Sequence, residues 1–158
     1  MNNKIKWGKL AASVAIALAV GGAAALLTGQ SMDIYDSLVN PPFAPPGWVF
    51  PVVWSLLYVM MGIAAYQVWV SEAAPVRKQR ALSFYAVQLG VNFFWPLIFF
   101  RLQMFLAAFV WIVVLWLLVL ICALLFGHIR KSAGQLLLPY LLWVSFASYL
   151  NLGVYLLN

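Results

Sequence analysis

Residues 102–129 read LQMFLAAFVWIVVLWLLVLICALLFGHI and contain no Asp, Glu, Lys or Arg. A helix needs roughly 20 consecutive apolar residues to cross the hydrocarbon core of a bilayer. The run is long enough to cross once and too short to be divided into two crossings. The stretch therefore predicts one membrane-spanning helix.

Charge-free runs of similar length lie on both sides of this stretch. Of the 158 residues, 66% are hydrophobic and 8% are charged, and the mean hydropathy is +1.01. A soluble domain carries roughly 25% charged residues. The sequence therefore predicts an all-α integral membrane protein, a single bundle of five transmembrane helices near 8–29, 47–70, 81–100, 103–127 and 134–157.

The basic residues lie mostly at one end of this predicted bundle. Eight of the nine precede helix 1 or lie between helices 2 and 3 or 4 and 5, and only Arg101 lies at the other end. The positive-inside rule then places the N-terminus inside and the C-terminus outside. Because topology accounts for the net charge of +6, we expect no nucleic acid partner.

Helix 1 allows two interpretations. Its basic start, apolar core and small residues also resemble a secretory signal peptide. However, the apolar run continues to Thr28, and cleavage would leave a four-helix remnant, so we favour a retained helix. An alanine line gives the helix one smooth side, suited to close packing within the bundle or in a dimer. It consists of Ala11, Ala15, Ala19 and Ala23.

Five of the eight prolines lie within residues 40–54, NPPFAPPGWVFPVVW. Proline fixes φ and disfavours the helical region for the residue before it. The stretch predicts a stiff, extended lid at the outer face, within a loop over 30–47, with Pro51 in the first turn of helix 2.

Polar side chains within the helices indicate where these faces meet protein. Gln88 and Asn92 share a face of helix 3, and amides in a bilayer need partners. They could serve interhelical hydrogen bonding alone or form a polar corner of a ligand cavity. Trp54, Trp95 and Asn151 fall at one depth, roughly 10 Å below the outer surface. Aromatic walls with a few amides suit a large apolar ligand.

The sequence offers little for acid–base or metal chemistry. Cys122 is the only cysteine, and Cys122 and His128 have no further ligands nearby, so we predict no metal site. The acids Asp33, Asp36 and Glu72 all lie outside the predicted spans. We therefore predict no catalytic acid, base or nucleophile.

At several of these positions the chain resembles the translocator protein/tryptophan-rich sensory protein family. The matching stretches keep consistent spacing along the whole chain. They are residues 35–38 (YDSL), 41–48 (PPFAPPGW), Trp54 and Tyr58, Gln88 with residues 92–100 (NFFWPLIFF), and residues 138–143 (LPYLLW) with Phe146, Ala147, Ser148, Leu150 and Asn151.

The resemblance implies a usually dimeric five-helix bundle whose cavity is closed by the loop between helices 1 and 2. It implies porphyrins such as protoporphyrin IX and haem, and benzodiazepine-site compounds, as ligands rather than as a required cofactor. We predict a bacterial cell membrane as the location. The predicted ligand-binding residues are Pro45, Trp48, Trp54, Tyr58, Gln88, Asn92, Trp95, Phe99, Trp143, Phe146, Ala147, Leu150 and Asn151.

Three functions follow from the resemblance, with a receptor or sensor favoured. A light-dependent porphyrin-degrading enzyme is the second, with Trp54 and Trp143 as the photochemical residues. A porphyrin or lipid transporter is the third. The sequence departs from the family pattern at three places. Tyr155 is followed by no Lys or Arg, which argues against cholesterol recognition. Val110 stands where family members often have an acidic residue, and Phe43 stands where they often have Trp.

Overall fold

The computed structural model describes residues 5–29 and 31–158, so Lys4 and Gln30 lie outside the described residues. The chain is helical, and within the described residues five helical segments are long and apolar enough to cross a membrane. This confirms the predicted fold class. The elements are α1 (Trp7–Thr28), α2 (Ser31–Ser37), α3 (Val49–Trp69), α4 (Pro75–Pro96), a π-helical turn (Leu97–Arg101), α5 (Phe105–Ile129), α6 (Lys131–Leu136) and α7 (Leu138–Leu157).

Two helix boundaries differ from those expected. α4 begins at Pro75 rather than near residue 81, because proline is well suited to the first helical turn and long basic side chains can extend into the headgroup region. The last span consists of two helices joined at Leu137. Pro139 explains the interruption, since it lacks an N–H and disfavours helical backbone before it.

The predicted extended loop over 30–47 is wrong in two respects. Ser31–Ser37 forms the helix α2, which contains no proline and has Asp33 in its first turn, where an acid is favourable. Residues 41–44 form a turn, in which the Ala44 N–H donates to the Pro41 carbonyl at 3.2 Å. Phe43 has φ of 65°, as expected at the third position of a type II turn that follows Pro42.

Close packing of α1 against α3 depends on glycines. A Cβ on Gly62 would meet the Val14 backbone, and a Cβ on Gly21 would meet the Tyr58 ring. Ser13 donates a hydrogen bond to the Gly62 carbonyl at 2.7 Å across the same interface. The alanine line defined above does not take part, because its four members are exposed and point away from the bundle.

Pro96 is the last residue of α4. The chain continues directly into the π-helical turn Leu97–Arg101, and the Leu102 N–H donates to the Leu97 carbonyl at 3.0 Å. Such turns absorb a local mismatch in the helical ladder. This turn brings Phe99 and Phe100 inward, where both are buried.

Alternation of the spans gives the bundle two distinct ends. At the basic end α1 begins, α3 ends, α4 begins and α5 ends, so most Lys and Arg side chains gather there. At the lid end lie α2, residues 38–48 and Arg101. The Arg101 guanidinium donates to the Leu27 carbonyl at 2.9 Å, which ties the π-helical turn to the end of α1.

Candidate functional site

A cavity of about 130 Å³ lies beneath α2, between α1, α3 and α4. Among the residues that the structure describes, none that lines it is charged. The lining residues are Gly21, Ala24, Ala25, Thr28, Ser31, Met32, Phe50, Pro51, Trp54, Tyr58, Asn92, Trp95, Pro96 and Phe100.

Trp54 occupies the centre of the aromatic cluster that bounds this lid cavity. Its ring centroid lies 6.5 Å from that of Trp95, 5.9 Å from Tyr58 and 6.0 Å from Tyr140. The planes of the two indoles are inclined by 35°. Trp54 and Trp95 therefore present neighbouring aromatic faces, as their shared depth predicted.

The amides of α4 belong to a hydrogen-bonded chain that joins three helices. The Tyr58 hydroxyl donates to Asn92 Oδ1 at 2.6 Å, and Asn92 Nδ2 donates to the Tyr140 hydroxyl at 2.6 Å. Tyr140 in turn donates to Gln88 Oε1 at 2.8 Å. All four side chains are buried. Interhelical hydrogen bonding thus accounts for Gln88 and Asn92, one of the two interpretations left open by the sequence.

Asn151 has a similar structural role on α7. Its Oδ1 accepts from Trp95 Nε1 at 3.0 Å, and its Nδ2 donates to the Phe105 carbonyl at 2.8 Å. The Trp95 ring is therefore fixed by a hydrogen bond at its edge. Trp54, Trp95 and Asn151 are therefore linked by direct contacts, while their common depth in the membrane stays a prediction.

The helix α7 borders a second, much smaller cavity of about 20 Å³. Ala147 and Leu150 line this space, as does Phe99. Three aromatic side chains, Phe50, Trp95 and Phe100, line both cavities and separate them. The single aromatic cavity expected from the sequence is therefore divided by this aromatic wall into two compartments.

Five of the predicted binding residues line neither cavity. Gln88 belongs to the hydrogen-bonded chain described above, and the other four are Pro45, Trp48, Trp143 and Phe146. Trp143 packs on the other side of Phe50, with ring centroids 5.8 Å apart, and Phe146 follows it at 5.7 Å. Trp143 Nε1 is buried without a hydrogen-bond partner within the described chain. Trp48 is 68% exposed, which is typical of an interfacial tryptophan. Pro45 acts through its carbonyl, which accepts from the Tyr35 hydroxyl at 2.8 Å.

The lid is attached to α7 and to itself by specific contacts. The Tyr149 hydroxyl donates to the Pro42 carbonyl at 2.9 Å, and the Asn158 side chain exchanges hydrogen bonds with Val39 at 3.1 and 3.0 Å. Pro41 packs so closely on Gly153 that a Cβ there would meet its ring. Burial, and then the charge of Asp36, raise the pKa of Tyr35, whose protonated hydroxyl donates to the Pro45 carbonyl.

Sequence reasoning missed the contribution of α1 to the lid cavity. Gly21, Ala24 and Thr28 form part of its wall, and Met32 of α2 closes it from above. The signal was present, since small residues also recur at Ser13, Ala17, Gly21, Ala24 and Thr28. The alanine line on the exposed side of the same helix concealed it.

The chemistry available in the lid cavity is aromatic stacking and hydrogen bonding. Among the described residues no group of three or more His, Cys, Asp or Glu is placed to hold a metal ion. Asp33 and Asp36 belong to α2 and are exposed, so neither carboxylate lines the cavity. The arrangement favours binding of a flat apolar molecule over proton transfer.

Comparison with known proteins is consistent with this geometry. The chain is 40% identical over 150 residues to the tryptophan-rich protein TspO of Chlorobaculum tepidum, covering 94% of this chain and 95% of that protein. It is 42% identical over 151 residues to the protein of the same name from Archaeoglobus fulgidus, covering 95% and 97%. The human translocator protein is 32% identical over 128 residues, covering 80% and 76%.

The family model of the TspO/MBR family matches residues 13–156, a range that includes every residue lining either cavity. The matched range and the similarity along nearly the full length of two relatives lead to the same conclusion. The chain belongs to the TspO/MBR family.

Proposed function

We propose that this protein is a membrane receptor or sensor that binds tetrapyrroles, such as protoporphyrin IX and haem, and benzodiazepine-site-type ligands. The observation that carries the proposal is the pair of indoles, Trp54 and Trp95, at the uncharged lid cavity. Flat conjugated rings stack on such faces, and each aromatic pair contributes roughly 0.5–1.5 kcal/mol beyond area burial.

A macrocycle requires more room than the lid cavity contains. Its volume of about 130 Å³ lies below the roughly 300 Å³ at which small-molecule pockets begin. Two side chains could provide that room by moving: Met32, a flexible thioether above the cavity, and Phe50, part of the aromatic wall. Displacing Phe50 would join the two compartments and bring Ala147 and Leu150 into the site.

The amides have a supporting role in this proposal. Asn92 and Gln88 hold Tyr58 and Tyr140 in place, so their polar groups are engaged before a ligand arrives. Trp143 differs, because its Nε1 is a buried donor without a partner in the described chain. A ligand that moves Phe50 would approach this donor, which supports a role for Trp143 behind the wall.

The proposal is tested by titrating the purified protein with protoporphyrin IX in detergent, in the dark, while following tryptophan fluorescence. We expect saturable quenching, weakened several-fold in Trp54→Phe because the phenyl ring offers a smaller stacking face. Trp7→Phe is the matched control, since Trp7 is 69% exposed at the start of α1. Absence of saturable quenching, or equal losses in both variants, would remove the tetrapyrrole assignment.

A second candidate function is light-dependent porphyrin degradation. It is favoured by the oxidisable rings around Trp54, with Tyr58, Tyr140 and Trp95 all within 6.5 Å by ring centroid. The same titrated sample, then illuminated, tests it. Loss of the porphyrin absorption band that depends on Trp54 and Trp143 would support an enzyme. A porphyrin band that is stable in light would exclude the enzyme and leave the receptor as the proposed function.

We also propose that the protein works as a homodimer in a bacterial cell membrane. The membrane-spanning helices and the bacterial relatives support the location. The exposed alanine line of α1 supports a dimer, because small residues let helices approach closely in lipid. Crosslinking in native membranes tests the dimer. If only species of monomer mass are found after crosslinking, the dimer is excluded.

A further inference from the structure

A second candidate site lies at the basic end, far from the lid cavity. It is a groove of about 300 Å³ between the start of α1, the end of α3 and the junction of α5 with α6. Its lining combines two cationic side chains, two neutral polar ones and an apolar remainder. The lining residues are Ile5, Lys6, Leu10, Ile63, Tyr66, Gln67, Val70 and Arg130.

We propose that this basic groove binds the headgroup of an anionic phospholipid, with its phosphate between Lys6 and Arg130. The two cations come from parts of the chain more than 100 residues apart and meet at one groove, and none of its described lining residues is acidic. Basic pockets between transmembrane helices are a recurring site for anionic lipid headgroups.

Two neutral side chains of α3 are placed to assist. The Tyr66 hydroxyl accepts a hydrogen bond from the Lys6 backbone N–H at 2.9 Å, which leaves its own proton available to a phosphate oxygen. Gln67 Oε1 accepts from the Ser132 hydroxyl at 2.6 Å. That bond attaches the α5–α6 junction, with Arg130, to α3 and leaves the Gln67 amide NH₂ to donate.

Two other basic residues at this end are engaged elsewhere. Lys9 Nζ lies over the Trp69 ring, 4.9 Å from its centroid, and Lys78 Nζ donates to the Ser71 carbonyl at 3.1 Å. Neither lines the basic groove. Lys6 and Arg130 are therefore distinguished from the remaining positive charge by their position and not only by their sign.

The apolar part of the lining favours a lipid over a free phosphate ion. Ile5, Leu10, Ile63 and Val70 provide aliphatic surface beside the two cations. A glycerophospholipid has a matching arrangement of phosphate and acyl chain. The positive-inside rule assigns this end to the cytoplasmic side, where the leaflet is rich in anionic lipid.

The test is native mass spectrometry of the full chain from detergent micelles containing equal amounts of phosphatidylglycerol and phosphatidylcholine. We expect one retained phosphatidylglycerol per chain, preferred over phosphatidylcholine. In Lys6→Gln/Arg130→Gln the retained fraction should fall about tenfold, because each basic group near anionic lipid adds to binding. A double variant that retains the lipid like the wild type would overturn the proposal.

The matched control is Arg77→Gln/Arg80→Gln, which removes the same charge from exposed positions of α4 at the same end. It should retain phosphatidylglycerol within about twofold of the wild type. Equal loss in both double variants would mean diffuse attraction to a basic surface and would overturn the site. Lys6→Arg/Arg130→Lys keeps both charges and should bind phosphatidylglycerol as the wild type does. This variant shows whether substitution at the two positions disturbs the fold apart from removing charge.

Soluble glycerol phosphate distinguishes the two sources of a phosphate group. Added at millimolar concentration, it should not displace the retained phosphatidylglycerol, because it lacks the acyl chains that contact the aliphatic lining. Displacement at that concentration would identify a free-phosphate site and contradict the lipid assignment. Because it lies at the opposite end, the groove can be tested independently of porphyrin binding.

Discussion

At the scale of single residues, the lid cavity depends on side chains whose polar groups are already paired. Asn92 connects Tyr58 to Tyr140, and Asn151 fixes the Trp95 indole. Within the bilayer no water is available to replace these hydrogen bonds, so the bonds persist and hold the rings at defined angles. Because the Tyr58 hydroxyl and the Trp95 edge are occupied, these two rings offer a ligand their faces.

The tyrosine–amide chain gives the first residue-scale prediction. Asn92→Leu removes both bonds of Asn92 and leaves the Tyr58 hydroxyl without its acceptor. We expect the free energy of unfolding to fall by about 1–2 kcal/mol, since polar bonds between membrane helices contribute modestly. Thermal unfolding in detergent measures this as a loss of several degrees.

Gly90→Ala on the same helix is the control for that variant. A Cβ at Gly90 has no atom within 4 Å, and alanine favours a helix over glycine, so its stability should equal or slightly exceed that of the wild type. An unchanged melting temperature in Asn92→Leu would show that the chain of bonds contributes nothing measurable.

At the scale of elements, the lid is a helix and a turn attached to α7. The contact of Pro41 with Gly153 and the bond from Tyr149 to Pro42 hold it down. The prolines predicted a stiff lid, but they begin at Pro41 and gave no information on residues 31–37, which form α2. Lid position is thus set by α7 as well as by proline.

Gly153→Val tests how the lid is held. The added side chain would push Pro41 away and weaken the Tyr149–Pro42 bond, so amides of residues 38–48 should exchange hydrogen at least about tenfold faster. Hydrogen exchange with mass spectrometry detects this directly. Gly90→Val should leave lid exchange unchanged, and equal protection in both variants would mean that α7 does not secure the lid.

The sequence could predict the site residues that depend on helical spacing, but not those that depend on which helix packs against which. Helical periodicity put Gln88 and Asn92 on one face, and helix length put Trp54 and Trp95 at one depth, whereas Tyr58 was named from the family resemblance. Spacing could not place Trp143, whose side of the helix is decided by Phe50 packing against it. The α1 wall was equally hidden, since which small-residue face turns inward depends on Gly62 and Tyr58.

At the scale of the whole molecule, the lid and most of the basic residues lie at opposite ends of the bundle. Hydrophobic run length was sufficient to predict five spans, as each run allows one crossing. The helix boundaries needed the structure, since Pro75 begins a helix and Pro139 interrupts one. Orientation in the membrane follows from the charges and stays a prediction.

Cysteine accessibility tests that orientation. In a Cys122→Ala background, Ser37→Cys at the lid end should react with a membrane-impermeant maleimide in intact cells, because the lid is expected outside. Ala74→Cys at the basic end should react only after the cells are opened. Both positions are exposed and neither substitution alters charge. The reverse labelling pattern would invert the topology.

Binding beneath the lid is the central claim, and two adjacent glycines of α1 test it most directly. A side chain at Gly21 would meet the Tyr58 ring and occupy the lid cavity, whereas one at Gly22 has no atom within 4 Å.

The measurement is the dissociation constant of protoporphyrin IX for the wild type, Gly21→Val and Gly22→Val, with folding checked by circular dichroism. We predict at least about tenfold weaker binding in folded Gly21→Val, since overpacking a filled interface displaces its neighbours, and wild-type affinity in Gly22→Val. Equal affinity in all three proteins would contradict the account and move the ligand away from the Trp54 cavity.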